Sequence, residues 1–155
     1  MPTLEAIEIK APARIVEQTR LIRASRARIF AAWTDAELLK QWFGPADRIC
    51  TLAESDPCVG GAYRIGVRLK DVPDAPVSTA AGHYLQVVAN ERLQFNWIPS
   101  WNPGEESLVT VSLEHVHGGT EVTLRHEHFP PESFAGYNLG WEGSLTRLAN
   151  SVERF

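Results

Sequence analysis

Four of the five histidines fall in one short stretch: His115, His117, His126 and His128, either side of Gly118-Gly119. Neutral imidazole is a common metal ligand, and a histidine beside an apolar cavity can also move protons. Val109, Val111 and Leu113 alternate with Thr110, Ser112 and Glu114. Val122, Leu124 and His126 alternate in the same way with Thr123, Arg125 and Glu127. The pattern predicts a β-hairpin with Gly118-Gly119 as its two-residue turn. That register sets His117 opposite Thr120, His115 opposite Val122, Val111 opposite His126 and Val109 opposite His128. Residues along a strand are about 3.3 Å apart, so the two histidine pairs lie at opposite ends of the hairpin. They cannot close one zinc shell, whose bonds are near ~2.0–2.1 Å. No metal and no cofactor are therefore expected. His126 and His128 share the parity of Leu124 and are expected to point inward. His126 is then a candidate for ligand contact or proton transfer, against the plainer reading of a hydrogen-bonded core histidine.

Other chemistry has little support. The sequence contains no GxSxG elbow, no P-loop and no GxGxxG fingerprint. Cys50 and Cys58 are the only cysteines and do not form a CxxC pair, so they are expected to be reduced thiols. Arg125 and Glu127 have the opposite parity from His126 and are expected to face solvent.

Six residues near the C-terminus, Phe134, Tyr137, Trp141, Leu145, Leu148 and Val152, recur at steps of three and four. This is one face of a long helix over 134–155, whose apolar stripe must be covered. Gly136, Gly140 and Gly143 lie inside it, each costing about 1 kcal/mol relative to Ala. They are read either as sites of close approach, or as a looser half that admits a ligand, or as simple packing beside large aromatics. Packing is the preferred reading for Gly140, and Gly136 is a candidate break after which the helix would begin.

Residues 1–13 read as a lead-in, and 14–155 as one domain. Arg14 to Arg23 reads as the first strand. Ser25 and Asp35 are good N-caps for two short helices, the second stopped by Gly44-Pro45. Further strands are expected at 48–54, 62–69, 80–88 and 92–98, followed by the hairpin. Consecutive strands joined by short turns form an antiparallel meander, with one face available to the long helix. Pro99 to Glu106 reads as a polar loop that carries Trp101.

Composition bounds the function. A net charge of −4 without a basic run argues against a nucleic-acid surface. No apolar run approaches 18 residues, so no membrane insertion is expected. The N-terminus carries Glu5 and Glu8 in place of a secretory signal, and a cytoplasmic location is the expectation.

Six stretches come in a fixed order: WTDAELLKQWFGP (Trp33 to Pro45), VGGAYRI (Val59 to Ile65), GHYLQVV (Gly82 to Val88), RLQFNW (Arg92 to Trp97), GGTEVTLRHEHF (Gly118 to Phe129) and GWEGSLTRL (Gly140 to Leu148). Together they resemble the START-like SRPBCC superfamily, and within it the branch named after the activator of the heat shock protein 90 ATPase. A departure is Pro57-Cys58-Val59, where the family usually has an Arg-Pro pair before the glycines. The resemblance implies an α+β helix-grip fold, with a strongly bent antiparallel sheet of about seven strands wrapped around a long C-terminal helix. It also implies a cavity between the two for a lipid-like or polyketide-like molecule.

On that resemblance, Tyr84, Phe95, Trp97, Phe134, Tyr137 and Trp141 are expected to line the cavity, with Val111, Leu124, His126 and Leu145 completing the set. The competing reading is that these residues form a solid core; periodicity does not separate the two. The leading expectation is a non-catalytic binding domain for an apolar or amphipathic small molecule. A second is a cyclase or dehydratase, with His126, His128 and Tyr84 as its polar groups. A third is a chaperone-accessory or stress-related interaction protein, with Trp101 as the contact patch. The further domain that such co-chaperones use to grip a client is not expected here. A homodimer is compatible with an edge strand that needs cover.

Overall fold

The structure is a computed structural model that describes residues 14–153. The expected lead-in at 1–13 lies outside the described residues, as do the last two residues of the expected helix. Strand β1 (Ile15–Ile22) leads into two short helices, α1 (Arg26–Thr34) and α2 (Ala36–Trp42). Six strands follow: β2 (Arg48–Ser55), β3 (Ala62–Leu69), β4 (Ser78–Val88), β5 (Arg92–Pro99), β6 (Ser107–Val116) and β7 (Gly119–Glu127). A 3-10 turn at Pro131–Ser133 then leads into the long helix α3 (Phe134–Val152).

Both expected caps form. The Ser25 hydroxyl accepts from the Arg28 amide at 3.1 Å, and Asp35 Oδ1 accepts from the Glu37 and Leu38 amides at 2.9 and 3.3 Å. The seven strands make one sheet in the order β1-β7-β6-β5-β4-β3-β2, antiparallel throughout. Register shifts between Cys50 and Leu52 and between Tyr84 and Gln86 are bulges that add twist and help curl the sheet. Its concave face buries Leu93, Phe95 and Trp97 on β5, Val109, Val111 and Leu113 on β6, and Val122, Leu124 and His126 on β7. Against it α3 buries Tyr137, Trp141, Leu145, Leu148 and Val152. This is a helix-grip fold.

Three local expectations need correction. The β6–β7 turn is centred on His117-Gly118, with Val116 paired to Gly119, His115 to Thr120 and Val109 to His126. Gly118 takes the left-handed conformation at φ +93°. Gly119 is held elsewhere: a Cβ there would lie 2.2 Å from the Ile22 carbonyl oxygen, so the hairpin packs tightly against the end of β1. The slip changes each residue's cross-strand partner by two positions, an even number, and so keeps the inward parity. His128 does not point inward: β7 ends at Glu127, and His128 turns out at φ +75° with an exposed side chain. Finally, α3 runs unbroken through Gly136 from Phe134.

Candidate functional site

Two hydrogen-bonded relays tie the N-terminal half of α3 to the start of β6. Tyr137 and Trp141, one helical turn apart, meet Glu105 and Ser107, two residues apart on an extended strand entry. In the first relay, Trp97 Nε1 donates to the Tyr137 hydroxyl at 3.2 Å, and that hydroxyl donates to Glu105 Oε2 at 2.5 Å. The other Glu105 oxygen accepts from Asn102 Nδ2 at 2.7 Å. Glu105 is only 6% exposed, so its carboxylate depends on these donors. Burial, and then the bond to Glu105, push the Tyr137 hydroxyl pKa well up.

In the second relay, Trp141 Nε1 donates to His126 Nδ1 at 3.0 Å, and His126 Nε2 lies 2.7 Å from Ser107 Oγ. His126 is fully buried between Tyr137, Phe129 and Trp97, with ring centroids at 4.4, 5.1 and 5.6 Å. Burial lowers its pKa to about 3.

On the open side of these relays lies a groove of about 550 Å³, within the size range of small-molecule sites. One wall is α3, where Gly136, Tyr137, Gly140, Trp141 and Ser144 face it. The other carries Phe43, Val67, Trp97 and Trp101, with Arg48 and Glu132 also on the lining. Trp101 is 49% exposed and sits 6.2 Å from Trp97, ring to ring. The Phe43–Arg48 lip is fixed by Arg147, whose Nη1 donates to the carbonyls of Gly44, Pro45 and Arg48 at 2.9, 3.1 and 2.9 Å.

The three helix glycines have different surroundings. A Cβ on Gly143 would meet Pro45 Cα and Cβ at 3.3 Å, so that glycine serves close packing. A Cβ on Gly136 or Gly140 would meet nothing within 4 Å. Gly140 therefore opens onto the groove, contrary to the packing expected of it.

Of the ten expected lining residues, Trp97, Tyr137 and Trp141 face the groove. Tyr84 and Phe95 sit elsewhere, stacked with Tyr63 at 5.6 and 5.0 Å, and the Tyr84 hydroxyl bonds Ser55 Oγ at 2.7 Å. Val111, Leu124 and Leu145 are buried core, and Phe134 packs at the edge of that core. His126 lies behind Trp141 with both ring nitrogens engaged, so it neither touches the groove nor has a nitrogen free for proton transfer. The His126, His128 and Tyr84 set proposed for acid–base work is not assembled.

Several groove residues escaped the sequence reading. Trp101, expected only as a contact patch, comes from a loop that reads as polar, and Phe43 to Arg48 from what reads as a helix stop. Glu105, from the same loop as Trp101, supports the groove through Tyr137 without lining it. The glycines on α3 and the expected aromatic lining by Trp97, Tyr137 and Trp141 are the signals that pointed there. Among the described residues, no group of three or more His, Cys, Asp or Glu is placed to hold a metal ion. Among them too, no helix is long and apolar enough to cross a membrane.

The family model described as activator of Hsp90 ATPase homolog 1-like protein matches residues 23–153. The chain belongs to this family. Among solved structures similar to this AHSA1-like protein is protein CV1439 from Chromobacterium violaceum, at 25% identity and TM-score 0.82, covering 92% of this chain and 100% of that one. The AHSA1-like protein from Aeromonas hydrophila is also similar, at 25% identity and TM-score 0.71, covering 90% and 92%. DynU16, a protein of the dynemicin biosynthetic locus, shares the fold at 21% identity and TM-score 0.73, covering 92% of this chain and 48% of its own. A comparison with curated proteins gave no match. The AHSA1-like family and its fold support a ligand-binding domain in general terms.

Proposed function

We propose that this AHSA1-like protein binds an apolar or amphipathic small molecule in the groove between the N-terminal half of α3 and the Phe43–Arg48 lip. The carrying observation is the groove itself: an aromatic wall faces a helix whose Gly136 and Gly140 leave it open. Apolar walls with a few fixed polar groups are the usual make-up of a small-molecule site. The interior beneath Trp141 is filled by His126 and its neighbours, so the ligand rests against α3 and does not enter the sheet's closed end. Catalysis forms no part of this reading, since the most deeply buried candidate base is held neutral and enclosed.

Native mass spectrometry of freshly purified protein, joined to a thermal-shift screen of fatty acids, sterols and aromatic polyketides, tests it. A ligand at 100 times its Kd stabilises the folded state by about 2.7 kcal/mol, which appears as a rise in Tm of several degrees. A screen with no stabilising compound and no bound mass would overturn the reading.

A further inference from the structure

Gly136, Gly140 and Ser144 are spaced four residues apart and all face the groove, so they form a line along α3. The line is about 12 Å long at 1.5 Å per residue, the length of a fused-ring system. At Gly136 and Gly140 the helix backbone is bare, and no neighbouring atom would be displaced by a side chain. Helix stability is forgone there without any packing contact to offset it. Gly143, on the same helix, shows the contrast: Pro45 occupies the space a side chain would need.

Ser144 ends the line. It is 3% exposed, it lines the groove, and its hydroxyl has no hydrogen-bond partner among the described residues. A serine in a helix commonly bonds back to the carbonyl four residues earlier, as Thr146 does to Glu142 at 3.0 Å. Ser144 leaves that option unused. Flat side chains line the same groove, Phe43 and Trp101 among them, with Trp97 packed against Trp141 at 5.4 Å ring to ring. A slot with bare backbone on one side and rings on the other admits a flat body more readily than a branched one.

We infer that the Gly136–Gly140–Ser144 line seats a flat, fused-ring apolar molecule carrying a hydroxyl or carbonyl oxygen that hydrogen-bonds to Ser144 Oγ. The inference rests on the groove-binding reading and names its ligand class. The glycines set the depth of the slot, and Ser144 sets which end of the ligand enters it.

The test uses 2-naphthol and naphthalene as probes, the same ring system with and without the oxygen, titrated by chemical-shift perturbation. One net hydrogen bond makes 2-naphthol bind about 3–10-fold more tightly to the wild type. Ser144→Ala brings that ratio close to one. Gly140→Leu fills the slot, weakens both probes at least about tenfold (the order of 1.4 kcal/mol), and raises Tm because the new side chain meets open space. Gly140→Ala, a smaller change, raises Tm and keeps the fold if the leucine variant misfolds; it weakens both probes less. A ratio unchanged by Ser144→Ala, or full probe binding in a folded Gly140 variant, overturns the inference. If neither probe binds the wild type while a fatty acid does, the ligand class is wrong and the groove reading stands. If nothing binds at all, both fall.

Discussion

Trp141 on α3 donates its indole N–H to Nδ1 of His126 on β7, at 3.0 Å. An indole can only donate, so Nδ1 is the bare nitrogen and the proton sits on Nε2. From there it is donated to Ser107 Oγ at 2.7 Å. One contact between helix and sheet thereby sets the tautomer of a ring that no solvent reaches, and orients Trp141, which forms part of the groove wall.

The first prediction is spectroscopic. His126 should appear as the neutral Nε2–H tautomer in long-range ¹H–¹⁵N correlations from pH 8 to below pH 5, consistent with a pKa near 3. His128, with its exposed side chain, provides an internal comparison. A His126 midpoint near 6, or the Nδ1–H tautomer, would be incompatible with the packing described.

Linkage gives the second. The folded pKa of His126 is lowered to about 3 from 6.5. Below pH 6.5 the unfolded chain takes up a proton that the folded chain refuses, so stability falls as pH drops toward 3 and is flat above 6.5. The slope approaches about 1.4 kcal/mol per pH unit. Between pH 7 and pH 5 the wild type should lose about 2 kcal/mol through this residue. His126→Gln lowers stability at pH 7 but removes that increment from the loss. Urea melts at both pH values read the difference, and parallel losses in the two proteins would refute it.

These results show which parts of the molecule were legible in the sequence. The stripe from Phe134 to Val152 and the alternation on β5, β6 and β7 report directly which faces are covered, because side-chain direction follows a local period. Caps at Ser25 and Asp35 were legible for the same reason: the amides they satisfy are two or three residues away. The hairpin register was not, because Gly118 and Gly119 look alike in sequence, whereas Gly119 is claimed by the Ile22 carbonyl far away along the chain. Glu105 was hidden for a related reason. Only the approach of Tyr137, 32 residues on, makes that loop carboxylate buried and partnered.

Tyr137→Phe supplies the third prediction. It leaves the Glu105 carboxylate with Asn102 alone and Trp97 Nε1 without its acceptor. The expected cost is about 1–3 kcal/mol, with faster hydrogen exchange in residues 99–106. Adding Glu105→Gln to this variant should recover part of the loss, since a neutral amide is less costly to leave underpartnered. Strict additivity of the two substitutions would show that the residues are not coupled.

The last prediction concerns the lip of the groove. Arg147 reaches from α3 to the carbonyls of Gly44, Pro45 and Arg48, and burial lowers the pKa of its guanidinium. It is a positioning residue, since it does not face the groove itself. Arg147→Met should cost about 1.5–3 kcal/mol, the range for hydrogen bonds to a charged group. Arg147→Lys should recover little of this, because a compact ammonium lacks the reach and planar spread of a guanidinium. Hydrogen exchange separates a local effect from a general one. Protection should fall in residues 43–48 and hold in the β6–β7 hairpin, and ligand affinity should fall with it because Phe43 then no longer faces α3 at a fixed distance. Equal loss of protection in both regions would make Arg147 a contributor to global stability and detach it from the groove.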